Sequence, residues 1–399
     1  MNIKELQATV NPCFRTAKAI LNILLSCGDP DAIKLSPYLN LSELSESNIE
    51  NLLPPKMMDC FKIGQMARFD IINSAAMKSG KTTIIDLPCG YATRCFKIAN
   101  NGQKYYGFDL PIVIDEMKEL TSKIITEEQK SLISFNAVDA TNYYLMREVL
   151  KDIKGEICII TEGLLMYFTD SELISFCKAI HKLLSEFGGI WMTGDAAPMN
   201  QIYSLTLGVL YQGYQEKVQM KSNSMANIHS HTNTLAVNNF EKAKEFLEKQ
   251  GFIIKEKSVS KYLNEIKCAP EEKKEELKKT YSKINIWALT VDKKDIIINE
   301  EIIKFNLESK LIDGIFNVNI EGRLDTLTAP DLLKKFIEKE DIKCIKIDIN
   351  KMTFISSAGI RVLEIMMKEL ENKEMLEIIG AKGDIKDILE KNGFKMNMK

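Results

Sequence analysis

The chain has 399 residues, 45% of them hydrophobic and 27% charged, and a formal net charge of −2. This length predicts two or three globular domains, each large enough to bury a core of its own. The nearly balanced charge excludes a global electrostatic field that would recruit nucleic acid or an anionic membrane surface, so neither is expected as a partner.

The cysteines and the N-terminus favour a cytoplasmic location. Nine cysteines are scattered along the chain without a C-x-x-C pair, a pattern typical of reduced thiols. The first residues, Met1–Leu6, lack an export pattern, and no apolar run approaches the roughly 20 residues that a membrane span needs. We therefore expect a cytoplasmic protein without a membrane span.

The first 80 residues are predicted to be helical, with breaks at Gly28–Pro30 and Leu53–Lys56. From Thr82 onward, short apolar strands alternate with helical segments, which predicts βαβ units in a mostly parallel sheet. The predicted strands are Thr83–Leu87, Lys104–Phe108, Ser134–Val138, Ile157–Thr161, Ile190–Gly194, Phe252–Val259 and Lys283–Val291. The charged stretch Asp292–Asp295 is the predicted linker that closes this first domain, residues 1–295.

A second, shorter α/β pattern covers residues 300–399, a length that suffices for an independent domain. Its predicted strands are Ile302–Leu307, Ile315–Glu321, Cys344–Ile349 and Met375–Ile379. Its predicted helices are Pro330–Glu338, Ser357–Leu370 and Asp384–Asn392. The sequence thus predicts two α/β domains, the first with a helical segment over residues 1–80.

A tight turn follows the first predicted strand, where α/β sheets of nucleotide-binding proteins hold their ligands. The segment from Ile84 to Arg94 reads IIDLPCGYATR, which has neither the G-x-G-x-x-G of a dinucleotide site nor the Gly-Lys-Ser/Thr of a P-loop. A ligand without a phosphate does not need these phosphate-binding motifs. Close approach of the backbone, here at Gly90, and a carboxylate such as Asp86 would suffice.

Two further predicted strands end in carboxylates. Asp109 follows Asp86 by about 20 residues, the position from which an acid accepts both hydroxyls of a ribose. Asp139 follows the third strand, where a carboxylate can bind the amino group of an adenine. Each of the two has an alternative role as a cap of the helix that follows.

Four motifs in order, DLPCGYATR, YYGFDLPIVIDEMKEL, AVDATN and ITEGLLMYFTDSEL, resemble the leucine carboxyl methyltransferase-like class I methyltransferases, which use S-adenosylmethionine (SAM). The resemblance covers about residues 60–291. It implies an O-methyltransferase with a seven-stranded, mostly parallel α/β sheet and an N-terminal helical cap. It further implies that SAM is bound by Arg68, Asp86, Gly90, Asp109, Leu110, Asp139, Ala140 and Glu162. Arg68 would pair with the methionine carboxylate, and its alternative role is that of a surface arginine.

Two residues depart from the family pattern. Pro88 stands in place of the first glycine of the turn and removes one N–H donor. Ala92 adds a methyl group where the backbone comes close to the ligand. These departures keep a second interpretation open, in which the domain binds SAM weakly or acts as a sensor without catalysis.

The residues that would activate a methyl acceptor are less clearly marked. A carboxylate acceptor needs no base, whereas a phenol or an alcohol needs one. His229 and His231, in the segment Asn227–Asn233, are the candidate bases; the alternatives are a solvated loop or a metal pair without an evident third ligand. Tyr167 and the adjacent Phe168 would offer aromatic faces to the sulfonium or belong to the core. No metal is expected.

A serine pair precedes a helix in the C-terminal domain. Ser357 lies at or near the N-cap of the predicted helix, where the helix dipole favours an anion. The segment FISSAGIR and the turn GRLDTLTAP resemble the STAS domain of anti-sigma factor antagonists. The resemblance implies that Ser357 is a phosphorylation switch and that the partner is similar to a serine-kinase anti-sigma factor. Ser356 stands where many members have aspartate, and a plain N-cap serine is the alternative.

Two functions follow from these motifs. The first is that of a cytoplasmic bacterial SAM-dependent O-methyltransferase, which acts on a carboxylate or hydroxyl of a small molecule or peptide and is regulated through its STAS domain. The second is that of an anti-sigma factor antagonist-type regulator whose methyltransferase half only binds SAM or serves as a scaffold. The acids at the strand ends favour the first, and Pro88 favours the second.

Overall fold

The computed structural model describes residues 2–39, 54–195, 197–212, 235, 240–292, 303–372 and 375–395, without the side chains of residues 14–16 and 197–200. The chain divides into two compact units. The large unit is Cys13–Ile296, and the small unit combines Met1–Pro12 with Ile297–Lys399. In the described ranges, no helix is long and apolar enough to cross a membrane.

The helices are numbered along the chain. They are α1 (Ile3–Val10), α2 (Phe14–Ser26), α3 (Pro30–Leu35), α4 (Pro55–Met77), α5 (Arg94–Asn100), α6 (Pro111–Ser122), α7 (Glu127–Lys130), α8 (Tyr143–Val149), α9 (Asp170–Phe187), α10 (Ala197–Leu210), α11 (Phe240–Lys249), α12 (Lys274–Tyr281), α13 (Ala329–Ile337), α14 (Ser357–Lys368) and α15 (Gly383–Lys391). The strands are β1 (Thr83–Asp86), β2 (Lys104–Asp109), β3 (Ile133–Ala137), β4 (Ile157–Thr161), β5 (Gly189–Thr193), β6 (Ile253–Ser258), β7 (Asn285–Thr290), β8 (Asn306–Ile312), β9 (Ile315–Leu324), β10 (Cys344–Ile355) and β11 (Leu376–Ile379).

The large unit contains a seven-stranded sheet in the order β3-β2-β1-β4-β5-β7-β6. Strands β1 to β5 are parallel, and β7 runs antiparallel to its neighbours β5 and β6. Every residue of the central strands β1 and β4 is buried, as expected for parallel strands that helices cover on both faces. All seven predicted strands overlap observed ones, so the predicted mostly parallel α/β sheet is confirmed.

The helices α2, α3 and α4 come before the sheet in the chain. The long helix α4 begins at Pro55, a residue whose fixed φ suits the first helical position, and most of its residues are buried. At the end of α2, Cys27 forms a disulfide with Cys268. The expectation of reduced thiols is wrong for this pair. The two cysteines are 241 residues apart, and such a spacing leaves no local pattern in a sequence.

The small unit has a four-stranded sheet in the order β11-β10-β9-β8, with β8 antiparallel to β9 and the other pairs parallel. Strand β8 begins at Asn306, later than the predicted Ile302. Its residues alternate between exposed and half-buried positions, so this edge strand has no strong apolar run to mark it. The other three predicted strands and the three predicted helices overlap observed elements.

Helix α1 belongs to the small unit, although the sequence placed it with the first domain. Its apolar residues Leu6 and Val10 are buried in the same core as Leu332, Leu333 and Ile360. The period of an amphipathic helix shows that one face is buried, but it does not show which core buries that face. Proximity in the chain therefore does not determine which unit contains the first twelve residues.

Candidate cofactor site and switch site

Three carboxylates meet at one edge of the large sheet. Strands β2, β1 and β4 are neighbours, and their carboxyl ends carry Asp109, Asp86 and, directly after Thr161, Glu162. Ligands of open α/β sheets bind at this edge. The sequence predicted these three residues for the site, and parallel strands bring them together because their carboxyl ends point in the same direction.

Asp109 is fixed by two backbone N–H groups. The N–H of Gly90 donates to one carboxylate oxygen at 2.8 Å, and the N–H of Leu110 donates to the other at 2.7 Å. Burial raises the pKa of Asp109 to about 7, although both hydrogen bonds act in the opposite direction. Among the described residues, no cation pairs with Asp109. Its remaining lone pairs are therefore suited to two hydroxyl donors.

Gly90 forms the turn after β1 with a left-handed backbone, φ = +51°. A Cβ on Gly90 would lie 3.7 Å from the Cβ of Ala17 on α2. The N–H of Cys89 is bonded to the carbonyl of Phe108 at 3.0 Å. Because the N–H groups at 89 and 90 both have partners within the protein, the turn does not depend on the donor that Pro88 lacks.

Four charged side chains form a buried cluster at the carboxyl ends of β1 and β4. Arg94 donates to Asp86 at 2.6 Å and to Glu162, and Arg68 donates to Glu162 at 2.9 Å. Burial opposes the charge on Arg94, but Asp86 and Glu162 outweigh this effect and raise its pKa above the usual range. The two cations and two anions balance, which is how buried charges are tolerated. Arg94 belonged to a motif in the sequence, but its role was not predicted.

Asp86, the last residue of β1, is fully buried. Its carboxylate accepts from Arg94 and from the hydroxyl of Tyr105, the latter at 2.8 Å. Burial raises the pKa of Asp86, while Arg94 and Tyr105 counteract this rise. Asp86 therefore orients Arg94.

The residues that were predicted to surround the adenine lie after the ends of β2 and β3. Asp139 accepts from the N–H of Thr141 at 2.8 Å and from its hydroxyl, so it stabilises the turn after β3. Leu110 precedes α6, and Ala140 packs on the core of the unit. The structure thus brings Leu110, Asp139 and Ala140 to the same sheet edge as Asp109.

The loop after β4 depends on an acid that the sequence did not single out. Asp195, two residues after β5, accepts from the N–H groups of Leu164 at 2.8 Å and Leu165 at 3.0 Å. Tyr167 ends this loop in a short 3₁₀ turn and is half-buried. An acid after a strand end was the signal that could have identified Asp195, as it identified Asp109.

A tyrosine on α10 was also not predicted. The hydroxyl of Tyr203 donates to Gln65 on α4 at 2.6 Å, and the Arg68 guanidinium lies 5.8 Å from the centre of its ring. Burial raises the pKa of Tyr203 to about 12, so the phenol stays protonated at neutral pH. The predicted bases His229 and His231 lie outside the described residues.

The serine pair lies where β10 meets α14 in the small unit. Ser356 is the N-cap, with its hydroxyl accepting from the N–H of Gly359 at 3.4 Å, and Ser357 is the first helical residue. The neighbouring turn after β9 is ordered by Asp325, which pairs with Arg323 at 3.1 Å. Arg323 also covers the ring of Phe354 at 3.8 Å. Ser357 therefore lies in the first turn of a helix, beside a well-ordered turn.

The small unit matches a known family. The family model of the STAS domain matches residues 306–399, which include β8 to β11 and α13 to α15. No curated protein matches the chain.

Solved structures of methyltransferases are similar to the chain. The methyltransferase domain of bacterial CtHen1 is 13% identical and covers 57% of this chain and 100% of its own, with a TM-score of 0.36. The glycopeptide N-methyltransferase MtfA complexed with SAM is 10% identical and covers 55% of this chain and 85% of its own, with a TM-score of 0.33. The magnesium protoporphyrin IX methyltransferase of Synechocystis PCC 6803 with bound SAH is 12% identical and covers 58% of this chain and 86% of its own, with a TM-score of 0.31.

Because these TM-scores lie below 0.5, the fold of the large unit is assigned from its own strand order. Five parallel strands followed by an antiparallel β7 inserted beside β5 form the sheet that the resemblance to class I methyltransferases implied. The chain therefore combines a class I methyltransferase fold with a STAS domain.

Proposed function

We propose that the chain is a SAM-dependent O-methyltransferase that acts on a carboxylate or hydroxyl of a small molecule or peptide. The observation that carries the proposal is the pair of hydrogen bonds that fixes Asp109 beside Gly90. This arrangement leaves a buried acceptor for ribose hydroxyls next to a glycine turn that admits a ligand.

The residues present fit SAM. Asp109 would accept the ribose hydroxyls, and Leu110, Asp139 and Ala140 would surround the adenine. Arg68 would attract the methionine carboxylate, with Glu162 holding its guanidinium in place. SAM itself supplies an activated methyl group on a sulfonium. The role of the protein is to align the acceptor oxygen with that methyl group and to exclude water.

The polar groups near Arg68 indicate which acceptors suit the site. The Tyr203 phenol is protonated and occupied by Gln65, so it is not a base at neutral pH. Two arginines lie at this edge of the sheet. An acceptor carboxylate is already ionised and needs no proton removed, so it fits this environment better than an alcohol.

Asp109→Asn is expected to abolish SAM binding that is measured by isothermal titration of the full chain. The amide keeps the side-chain shape but loses an anionic acceptor that charge-assisted hydrogen bonds require. Asp115→Asn, a change at an exposed position of α6, is the matched control and should leave the affinity unchanged. Retention of wild-type affinity in the Asp109 variant would place the ribose elsewhere.

The charge balance around Arg68 also supports a second candidate, a regulator whose large unit is a scaffold. Both arginines of the cluster are already paired with carboxylates. The same titration separates the two candidates. Binding of both SAM and S-adenosylhomocysteine by the wild-type chain supports the enzyme, and binding of neither supports the scaffold.

We also propose that Ser357 is phosphorylated by a serine kinase similar to an anti-sigma factor, which would be the partner of the small unit. The Ser357 hydroxyl oxygen would form a bond to the γ-phosphorus of a nucleoside triphosphate, the diphosphate would leave, and the hydroxyl proton would pass to a base of the kinase. The modification adds about −1.5 to −2 charges in the first turn of α14. A partner on this surface would be repelled by that charge.

A further inference from the structure

Helix α1 is fastened to the small unit by apolar and polar contacts. Leu6 and Val10 are 2% and 0% exposed, within the core formed by α13 and α14. The Asn11 amide donates to the carbonyl of Thr326 at 3.0 Å, in the turn before α13. The Arg361 guanidinium donates to the carbonyl of Val10. These contacts hold the N-terminus of the chain on the STAS domain.

The helical state of α1 depends on this docking. The helix has eight residues, and isolated helices shorter than about 12 residues are marginal in water. Its last carbonyls have no partner within the helix, and Arg361 supplies one of them with a donor. Loss of the Arg361 contact is therefore expected to favour both undocking and unfolding of α1.

Arg361 lies one turn after Ser357 on α14. Residues four positions apart are neighbours on a helix surface, so the two side chains lie on the same face. A phosphate on Ser357 would be a far stronger acceptor for the guanidinium than the neutral carbonyl of Val10. Charge at Ser357 and docking of α1 would thus compete for the same arginine.

We propose that α1 is a detachable strap on the small unit, which the charge state of Ser357 holds or releases. A negative charge at Ser357 draws Arg361 away from Val10, and α1 leaves the core of the small unit. The proposal rests on the phosphorylation of Ser357 proposed above.

Hydrogen–deuterium exchange of the full chain tests the strap without cofactor or partner. In Arg361→Gln and in Ser357→Asp, the amides of α1 should exchange about ten-fold faster or more, since a hydrogen bond to a charged donor is lost. Ser357→Ala, which removes the hydroxyl without adding charge, and Lys368→Gln, an exposed change in the last turn of α14, are the controls and should match the wild type.

Several outcomes would overturn the proposal. Unchanged exchange of α1 in Arg361→Gln would show that this arginine does not hold the strap. Faster exchange in Arg361→Gln but not in Ser357→Asp would show that the charge does not release it.

Uniform loss of protection across the small unit would show that α1 is part of one cooperative core. Asn11→Ala removes the hydrogen bond from Asn11, just after α1, to the carbonyl of Thr326 and leaves α14 intact. This variant should also speed the exchange of the α1 amides. Because no SAM is present, failure of this experiment is distinct from failure of the SAM titration, which tests the proposed function.

Discussion

At the scale of single residues, Asp109 shows how the position of a residue in a sheet brings it to a candidate site. Its place at the end of β2 was visible in the sequence, but its state was not. Burial raises its pKa to about 7, and the N–H groups of Gly90 and Leu110 limit the rise. A carboxylate that is poised between two protonation states at neutral pH is a stronger indication of function than an acid with an ordinary pKa.

The raised pKa predicts that adenosine binding weakens as the pH falls through about 7. Hydroxyl donors favour the ionised form of Asp109, so binding is strongest above pH 7 and is expected to fall by up to about ten-fold per pH unit below it. In the free protein the sign is opposite: a raised carboxyl pKa stabilises the fold at low pH, and this contribution is lost as the pH rises through about 7.

Titration with 5′-methylthioadenosine measures this dependence. This nucleoside lacks the amino acid part of SAM, whose α-amino group also titrates near pH 8. An affinity that is constant between pH 5.5 and 8.5 would contradict the assignment of the ribose to Asp109.

At the scale of elements, the close contact between the start of α14 and β9 explains why the segment SSAG consists of small residues. A Cβ on Gly359 would lie 2.7 Å from the carbonyl oxygen of Leu324, which ends β9. Any residue larger than glycine at position 359 would therefore force the helix away from the strand. This close approach positions Ser356 as the N-cap and Ser357 in the first turn, beside the turn at Asp325.

Gly359→Ala is expected to destabilise the small unit by about 1–3 kcal/mol, because the added methyl group would force the helix from the strand. Gly208→Ala on α10 is the matched control. A Cβ at Gly208 meets no atom within 4 Å, so this change should be neutral or slightly stabilising. Urea unfolding followed by far-UV circular dichroism measures both effects. Equal stability of the two variants would contradict the close approach of α14 to β9.

At the scale of the whole molecule, each of the two units has a core of its own. The large unit has apolar clusters on both faces of its sheet, and the small unit has a cluster of its own that includes α1. Both tryptophans, Trp191 and Trp287, are buried in the large unit. Tryptophan fluorescence therefore reports on the large unit, whereas far-UV circular dichroism reports on both.

The same substitution in each core is expected to affect different transitions. Ile159 on β4 and Ile345 on β10 are both fully buried, and their truncation leaves a cavity. Ile159→Ala should lower the free energy of unfolding that is measured by fluorescence by about 2–5 kcal/mol. Ile345→Ala on β10 should leave the fluorescence transition in place and shift only the remaining part of the dichroism signal. An equal shift of the fluorescence transition by both variants would show that the units unfold as one.

The sequence by itself determined most of the helices and strands and pointed to the acids of the candidate site. Alternating strands and helices require a mostly parallel sheet, and the ends of parallel strands converge, so Asp109 and Asp139 were placed at one edge from their positions after predicted strands, whereas Glu162 was implied by the family resemblance. The serine pair was likewise found because caps and turns are local features.

The tertiary structure decided which distant groups meet. The pairing of Arg94 with Asp86 and Glu162, the contact of Asp195 with the loop after β4, and the disulfide between Cys27 and Cys268 all join segments whose pairing no local pattern encodes. Helix α1 makes the same point. Its apolar face was evident, but the core of the small unit, formed some 300 residues later in the chain, determines where that face is buried.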